Sequence, residues 1–420
     1  MKTELKKKIG ILGLGYVGLP LAVKLSSSFQ VIGFDISSFR VSQLHKGIDE
    51  TLEVSKNNLI NSFNKNLTIT NNEKDLKNCN IYIATVPTPI DERKKPDFSF
   101  LINVCKTIGK LLQKGDLVIF ESTVHPGATE EICGPELEKN SDKLKCGKDF
   151  FLGYSPERVN PGDKVHTIDK INKVIAGQNK DVEKIMFNLY SKLTDGEIFI
   201  AKNIKVAEAS KVIENSQRDI NIAFINEIAK ICQKIDISIY DVLDASLTKW
   251  NFLDFKPGLV GGHCIGVDPY YLSEKAIKLK INPQVILSGR QTNDGMGKFI
   301  AKSIENKIKK NSKILFLGVT FKEDVPDMRN SKSLDLMKIL KKRHRLYFHD
   351  PYIKKLSNFD FANIESSKTE TYDTIILCVP HKYYTGLGEK KILRFLKKEG
   401  FFFDLKGYFR NKKLKNYFSI

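Results

Sequence analysis

The first third of the chain alternates short, unbroken apolar runs with helical stretches. The runs KKIGILGLG, QVIGFDI, NIYIATV and DLVIFEST each have Gly, Asp, Thr or Ser at or next to their ends. Unbroken apolar runs predict strands covered on both faces, as in a parallel α/β sheet. FFLGYS and KVIAGQ predict two further strands. Residues 204 to about 235 read differently: they contain no Gly or Pro and are apolar on more than one side after Ile220. That pattern predicts a long helix buried between domains or between subunits. A helical region continues to about Leu247, followed by the Gly/Pro-rich loop KPGLVGGHCIGVDPYY. From Ser312 the strand–helix alternation resumes, and SKILFLGVTF, RLYFHDP, YDTIILCVPH and GFFFDLKG predict four strands. The expected organisation is 1–203 as a first α/β domain, 204–305 as a helical connector and 306–420 as a second α/β domain.

The first strand runs into Gly13-Leu14-Gly15-Tyr16-Val17-Gly18, a GxGxxG between a strand and a helical stretch, Leu19 to Ser28. In that setting Gly13 permits the tight turn and Gly15 lets the backbone approach a pyrophosphate. Gly18 allows close helix–strand packing, and the helix N-terminus faces the phosphates. Asp35 ends the next strand, where a carboxylate bonds both ribose hydroxyls and repels a 2′-phosphate; NAD is therefore expected over NADP, although Arg40 lies near enough to complicate that choice. The fold class expected is α/β, with two Rossmann-like doubly wound domains joined by a long central helix and helical connector. Thr88 in VPTP and Ser122 and Thr123 in ESTVHPG fall beyond later strand ends, where open sheets bind ligands.

Composition narrows the setting. The chain has 420 residues, 41% of them hydrophobic, enough for two or three domains. No apolar run approaches the ~18 residues of a membrane span. The basic N-terminus runs straight into the glycine turn, which argues against a targeting segment. Seven scattered cysteines (79, 105, 133, 146, 232, 264 and 378) include no CxxC pair and no metal spacing. They point to a reducing cytoplasm without structural zinc, and most should be small buried hydrophobes. A net charge of +19 favours polyanionic ligands such as dinucleotides or nucleotide sugars. Nucleic acid is the weaker option, because the lysines are spread out and no nucleic-acid motif accompanies them.

Among the cysteines, Cys264 is set apart by its loop. Gly261 and Gly262 let backbone pass close to a ligand, Asp268 follows four residues later, and His263 is adjacent. Lys211 and Asn215 lie four residues apart on one face of the long helix, which reads either as a polar site or as a solvated face. Glu157 in SPERVNPGD is a base or substrate anchor, or else a loop carboxylate paired with Arg158.

These motifs together resemble the UDP-glucose/GDP-mannose dehydrogenase family. In order, GLGYVGLP, GFD, VPTP, ESTVHPG, SPERVNPGD, ASKVIENSQRDINIAFINE, GLVGGHCIGVDPYY, GVTFKEDVPDMRNS and FFFDLKG cover nearly the whole chain. The wording of SPERVNPGD, ENSQRDINIAFINE and TKWNFLDFKPGLVGGHCIGVDPYYL is similar to bacterial UDP-N-acetylhexosamine 6-dehydrogenases of capsule and O-antigen synthesis. It is less like the UDP-glucose branch, which usually has Phe and Leu where Arg158 and Val159 stand. The resemblance implies an NAD-binding first domain, a central dimerisation domain with the cysteine loop, and a UDP-sugar-binding last domain. It implies a four-electron oxidation of CH2OH to COO⁻ with two NAD in turn and no metal. In it Cys264 is the nucleophile, Lys211 and Asn215 stabilise the oxyanion, and Asp268 with Thr123 and a water supports hydrolysis. Glu157 acts as acid/base or positions the sugar. Lys322 and Arg329 touch substrate and cofactor phosphates respectively, and Lys406 is a looser match. Arg158, Arg218 and Arg290, with Gly258 and Gly261, are further substrate-side candidates, although each arginine equally suits a carboxylate partner. Pro161 stands where some UDP-glucose enzymes carry a second acid, so cofactor contacts there do not carry over.

The implied protein is a cytoplasmic homodimer acting on UDP-N-acetylglucosamine or UDP-N-acetylgalactosamine, without membrane or nucleic-acid partners. UDP-N-acetylmannosamine and UDP-glucose are the alternatives within the family. A two-electron β-hydroxyacid dehydrogenase lacks the Cys264-type loop and anything like residues 312–420. A non-catalytic nucleotide-binding descendant would show erosion of the site, whereas Cys264, Lys211, Asn215, Asp268, Glu157 and Thr123 are all present.

Overall fold

The computed structural model describes residues 7–160, 162, 163, 165–362, 364 and 371–420; Pro161 lies outside them. The chain forms two compact units, Met1–Glu214 with Tyr270–Asn282, and Asn215–Pro269 with Pro283–Ile420. The helix Ile204–Lys234 is shared between them and joins them.

The first unit is built on an eight-stranded sheet: β1 (Lys8–Leu12), β2 (Gln30–Phe34), β3 (Leu67–Thr70), β4 (Ile81–Ala84), β5 (Leu117–Phe120), β6 (Phe151–Tyr154), β7 (Lys173–Gly177) and β8 (Ile198–Ile200). The order is β3-β2-β1-β4-β5-β6-β7-β8, parallel throughout except for β6 against β7. The unbroken apolar runs have the reason expected of them. Along β4 and β5, Tyr82, Ala84, Val118 and Phe120 pack into one buried cluster, while Ile81, Ile83, Leu117 and Ile119 pack into another on the opposite face. A strand covered on both faces needs apolar side chains at every position.

The second unit carries a six-stranded, all-parallel sheet: β9 (Lys313–Leu317), β10 (Arg345–His349), β11 (Asp360–Phe361), β12 (Tyr372–Leu377), β13 (Leu396–Asp404) and β14 (Tyr417–Ser419), ordered β11-β10-β9-β12-β13-β14. Its faces divide the same way, Ile314 and Phe316 to one side and Leu315 and Leu317 to the other. A smaller helical core joins Ile225, Ala229 and Cys232 of the long helix to Ile239, Tyr240 and Leu243. The strands that the apolar pattern does not announce are β3, β8, β11 and β14. They are two to four residues long and lie at or next to sheet edges, where pairing rather than an apolar run defines them. Among the described residues no helix is long and apolar enough to cross a membrane.

Candidate active site

In the first unit, the parallel order places the ends of β1, β2, β4, β5 and β6 at one sheet edge, and β1 and β4 form the point where the strand order reverses. The glycine turn follows β1. Gly13 has a φ of +100°, and a side chain there would lie 3.0 Å from the Thr85 carbonyl oxygen. Gly18 is tighter: an added Cβ would sit 1.8 Å from the Gly13 carbonyl oxygen. Gly15 alone has nothing within 4 Å of its missing side chain. The helix Gly18–Leu25 begins after Tyr16 and Val17, and no side chain caps its N-terminus. An uncapped helix start beside an open glycine fits a pyrophosphate.

Asp35 follows β2. One of its oxygens accepts the Leu14 amide at 2.9 Å and the other the Ser37 amide at 2.9 Å, so the acid ties down the turn. Arg40 does not face a 2′-phosphate alone. Its Nε donates to the Leu14 carbonyl at 3.0 Å and its Nη2 pairs with buried Asp49 at 2.8 Å. Beyond β4, the Thr85 hydroxyl donates to the Gly13 carbonyl at 2.7 Å and Thr88 is half-buried. Beyond β5, Ser122 donates to the Val86 carbonyl at 2.6 Å, and Thr123 beside it is half-buried. These residues fit NAD.

Glu157 follows β6 and is buried. Its Oε1 accepts the Val159 amide, and its Oε2 has no partner among the described residues. Arg158 pairs with Glu214 at 2.9 Å rather than with Glu157. Beneath Glu157 lies a fully buried cluster: Lys173 to Glu121 at 3.0 Å and the Tyr190 hydroxyl to Glu121 at 2.5 Å. Burial pushes the Glu121 carboxyl up; Lys173 opposes this and Glu157 adds to it.

Lys211 is buried on the long helix. One turn earlier, buried Glu208 accepts the amides of Gly127 (2.5 Å) and Thr129 (2.8 Å), locking the helix to the loop that carries Thr123. Burial pushes Glu208 up to about 7 against those hydrogen bonds.

In the second unit, Asn215 donates to Asp268 at 2.5 Å. The Cys264 carbonyl accepts the amides of Val267 (2.9 Å) and Asp268 (2.8 Å) as the chain enters the helix Asp268–Lys278. Three candidates, Asn215, Asp268 and Cys264, thus form one bonded chain. Cys264 is exposed, whereas five of the other six cysteines are buried and Cys146 is half-buried. The incoming loop is pinned at Gly258, whose amide donates to Asn226 Oδ1 (2.8 Å) and whose carbonyl accepts from Asn226 Nδ2 (3.0 Å). Asn226 is in turn bonded to Asn293, and Asn293 to Asp219.

That network accounts for Arg290. Its guanidinium is buried and held by Asp219 at 2.6 Å and Asp294 at 2.5 Å. Of the two roles open to it in the sequence, the observed one is the carboxylate partner, because a buried guanidinium is stable only when its charge is matched locally. Arg218 is exposed on the long helix. Lys322 and Arg329 lie on the loop between β9 and the helix Lys332–Leu340, and Lys406, after β13, pairs with Glu323 of that loop. Glu208, Asn226 and the Glu121–Lys173 pair are not signalled by the sequence. Only Glu208, one turn before Lys211, carried a spacing that hinted at its place.

Residues 7–194, 205–295 and 315–411 match the models described as the NAD binding, central and UDP binding domains of the UDP-glucose/GDP-mannose dehydrogenase family. The chain belongs to that family. NAD is accordingly its cofactor. It is 45% identical over 409 residues to the UDP-N-acetyl-D-glucosamine 6-dehydrogenase of Pseudomonas aeruginosa, covering 95% of this chain and 96% of that one. It is 46% identical over 422 residues to Protein CapL of Staphylococcus aureus, covering 98% of each. In solved structures it is similar to the UDP-D-ManNAc dehydrogenase of Pyrococcus horikoshii, with a TM-score of 0.87 and 28% identity over 98% of this chain and 99% of that one.

Proposed function

We propose that this protein oxidises the C6 hydroxymethyl group of a UDP-N-acetylhexosamine to the uronic acid, with UDP-N-acetylglucosamine first among the substrates, in the cytoplasm and for surface polysaccharide synthesis. The observation that carries the chemistry is the bonded chain Asn215–Asp268–Cys264 ending on the one exposed cysteine. The substrate class rests on the likeness to the Pseudomonas aeruginosa enzyme, at higher identity than the likeness to the UDP-D-ManNAc enzyme.

NAD, when bound, accepts a hydride in each of two rounds. In the first, a base takes the C6 hydroxyl proton and the sugar becomes an aldehyde. The Cys264 thiolate adds to the carbonyl carbon, giving a thiohemiacetal whose oxyanion is met by Lys211 and Asn215. Loss of the second hydride gives a thioester. Water, with its proton taken by Asp268 or Glu157, then releases the carboxylate and returns the thiol. The sum is one alcohol, two NAD and one water giving one carboxylate, two NADH and three protons.

The long helix adds a reading of assembly. Val206, Ile213, Phe224 and Ile231 are exposed, and at 3.6 residues per turn they fall within about 20° of one line. We read this stripe as the seat of a second copy of the chain; Phe224→Asp is expected to shift the mass in solution from dimer to monomer.

The deciding experiment is stoichiometric. Each UDP-sugar of a panel is incubated with NAD and enzyme, and NADH and uronate are counted. Two NADH per uronate, with Cys264→Ser unable to complete the reaction, supports the thioester path. One NADH per sugar, or full-rate uronate from Cys264→Ser, ends it.

A further inference from the structure

The cysteine loop rests on the loop that follows β9, both within the second unit. The fit is close. A side chain on Gly261 would lie 2.5 Å from the Asn330 carbonyl oxygen, and one on Gly262 would lie 2.7 Å from the Phe321 ring. Gly262 donates its amide to the Asn330 carbonyl at 3.4 Å, and Asn330 donates its side-chain amide to the Gly262 carbonyl at 3.3 Å. His263 meets the edge of Phe321, ring centres 5.6 Å apart, and its Nε2–H donates to Asp327 at 3.0 Å.

Asp327 has a second claimant. The Arg329 amide donates to it at 2.8 Å, and the Arg329 guanidinium donates from Nε at 3.1 Å and from Nη2 at 2.6 Å. Burial pushes the Asp327 carboxyl up, but the His263 and Arg329 hydrogen bonds outweigh it and hold the group well below the usual carboxylate range. The two partners differ in how tightly they are kept. Asp327 is buried, while the Arg329 side chain is 58% exposed and so open to an anion that arrives from solvent. His263 is bonded directly to Cys264 and has no such freedom, being fixed between Phe321 and Asp327.

We propose that Asp327 is a positioning residue that links phosphate binding to the nucleophile: when the diphosphate of a bound nucleotide draws the Arg329 guanidinium away, Asp327 keeps the Arg329 amide and His263, and its stronger hold on His263 resets the loop that holds Cys264. This rests on reading Cys264 as the nucleophile and Arg329 as a phosphate ligand. A protein that must not react before its nucleotides are seated gains from having one carboxylate answer to both groups.

The test reads the thiol, not turnover. Alkylation of Cys264 by iodoacetamide is followed by peptide mass at fixed pH in three arms: no nucleotide, UDP, and NAD. In the wild-type enzyme at least one nucleotide should change the rate by about 5-fold or more, the size of an ordinary coupling. Asp327→Asn should bind the same nucleotide, measured by calorimetry, yet lose most of that response. His263→Ala should do likewise, and His263→Gln, which keeps a donor for Asp327, should restore part of it. In turnover, His263→Ala should lower kcat by about 10-fold while KM changes less than about 3-fold, because His263 is next to the nucleophile and the change falls on the chemical step. A response of the same size in wild type, Asp327→Asn and His263→Ala would mean simple shielding of the thiol, and the proposal falls. It falls as well if neither nucleotide changes the wild-type rate. The UDP and NAD arms separate the two phosphate sources. Because alkylation needs no catalysis, failure here is distinct from a failure of the thioester reading, which the NADH count decides.

Discussion

The two sheets begin with the same turn and put it to different use. After β1, Gly13 donates to the Phe34 carbonyl at 2.9 Å with φ +100°, and Leu14 donates to Asp35 at 2.9 Å. After β9, Gly318 donates to the His349 carbonyl at 3.0 Å with φ +83°, and Val319 donates to Asp350 at 2.8 Å. Strand orders match as well, β3-β2-β1-β4-β5 against β11-β10-β9-β12-β13. What differs is the fate of the acid. Asp35 is half-exposed and its known partners are two backbone amides, which leaves lone pairs for a ribose. Asp350 is fully buried and committed to the amides of Val319, Tyr352 and Ile353 and to His381 at 3.2 Å. His381 in turn accepts the Asp324 amide at 2.9 Å and so ties down the loop bearing Lys322. The segment after the turn differs too. In the first unit a helix starts at Gly18 with no side chain capping its N-terminus; in the second a loop carrying Lys322 and Arg329 runs on to Lys332. One scaffold offers an uncapped helix end beside an open glycine, the other side-chain cations on a loop, and the choice is made in the ten or so residues after a shared glycine.

The contrast can be broken at four places. The largest effect should come from Gly18→Ala, whose methyl has backbone 1.8 Å away. Since backbone cannot yield as a side chain does, the cost should exceed the about 1–3 kcal/mol usual for overpacking, with loss of NAD binding read by calorimetry. Gly15→Ala is its control: with open space around it, melting should shift by about 1–2 °C while NAD affinity drops about 10-fold, a 1.4 kcal/mol effect. Next, Asp350→Asn should lower the melting temperature sharply, by at least about 1.5–3 kcal/mol, because a buried carboxylate that accepts three amides and the His381 ring loses its charge and one acceptor. Asp35→Asn should instead leave melting nearly unchanged and weaken NAD by about 1.5–3 kcal/mol, the worth of hydrogen bonds to a charged group. If the two asparagine variants behaved alike, the acids would share one role and the contrast would dissolve.

The last effect concerns pH. Glu208 is raised to about 7, so the folded chain holds a proton there that the unfolded chain releases near the ordinary glutamate value. Its contribution is therefore present at low pH and is lost as pH rises toward and through 7. One pKa unit corresponds to about 1.4 kcal/mol, so the ceiling is about 3 kcal/mol. Glu208→Gln mimics the neutral carboxyl and should flatten the fall in melting temperature between pH 5 and pH 8; equal slopes in the two proteins would rule the assignment out.

Much of this was readable in the chain. The glycine turn has the geometry its spacing predicts, because each glycine answers a local demand: a positive φ, an open side, a close contact. The acid after β2 was equally plain. Its counterpart after β10, in the HDP of RLYFHDP, stood in the same position relative to its strand, yet no glycine fingerprint follows β9 to direct attention to it. The short edge strands were not legible, since two to four residues hold no period.

By itself, then, the sequence determined what is local: the faces of the strands, the long helix, the tight glycine turn after β1, and the odd cysteine in a glycine-rich loop. Only tertiary structure decided what depends on partners far apart in the chain. It committed Arg290 to two carboxylates, freed Glu157 from Arg158, put Glu208 on the Gly127 loop and set His263 on Asp327, 64 residues away. The physical reason is that a charged side chain takes its role from whichever charge and solvent it meets after folding, and spacing along the chain carries no record of that meeting.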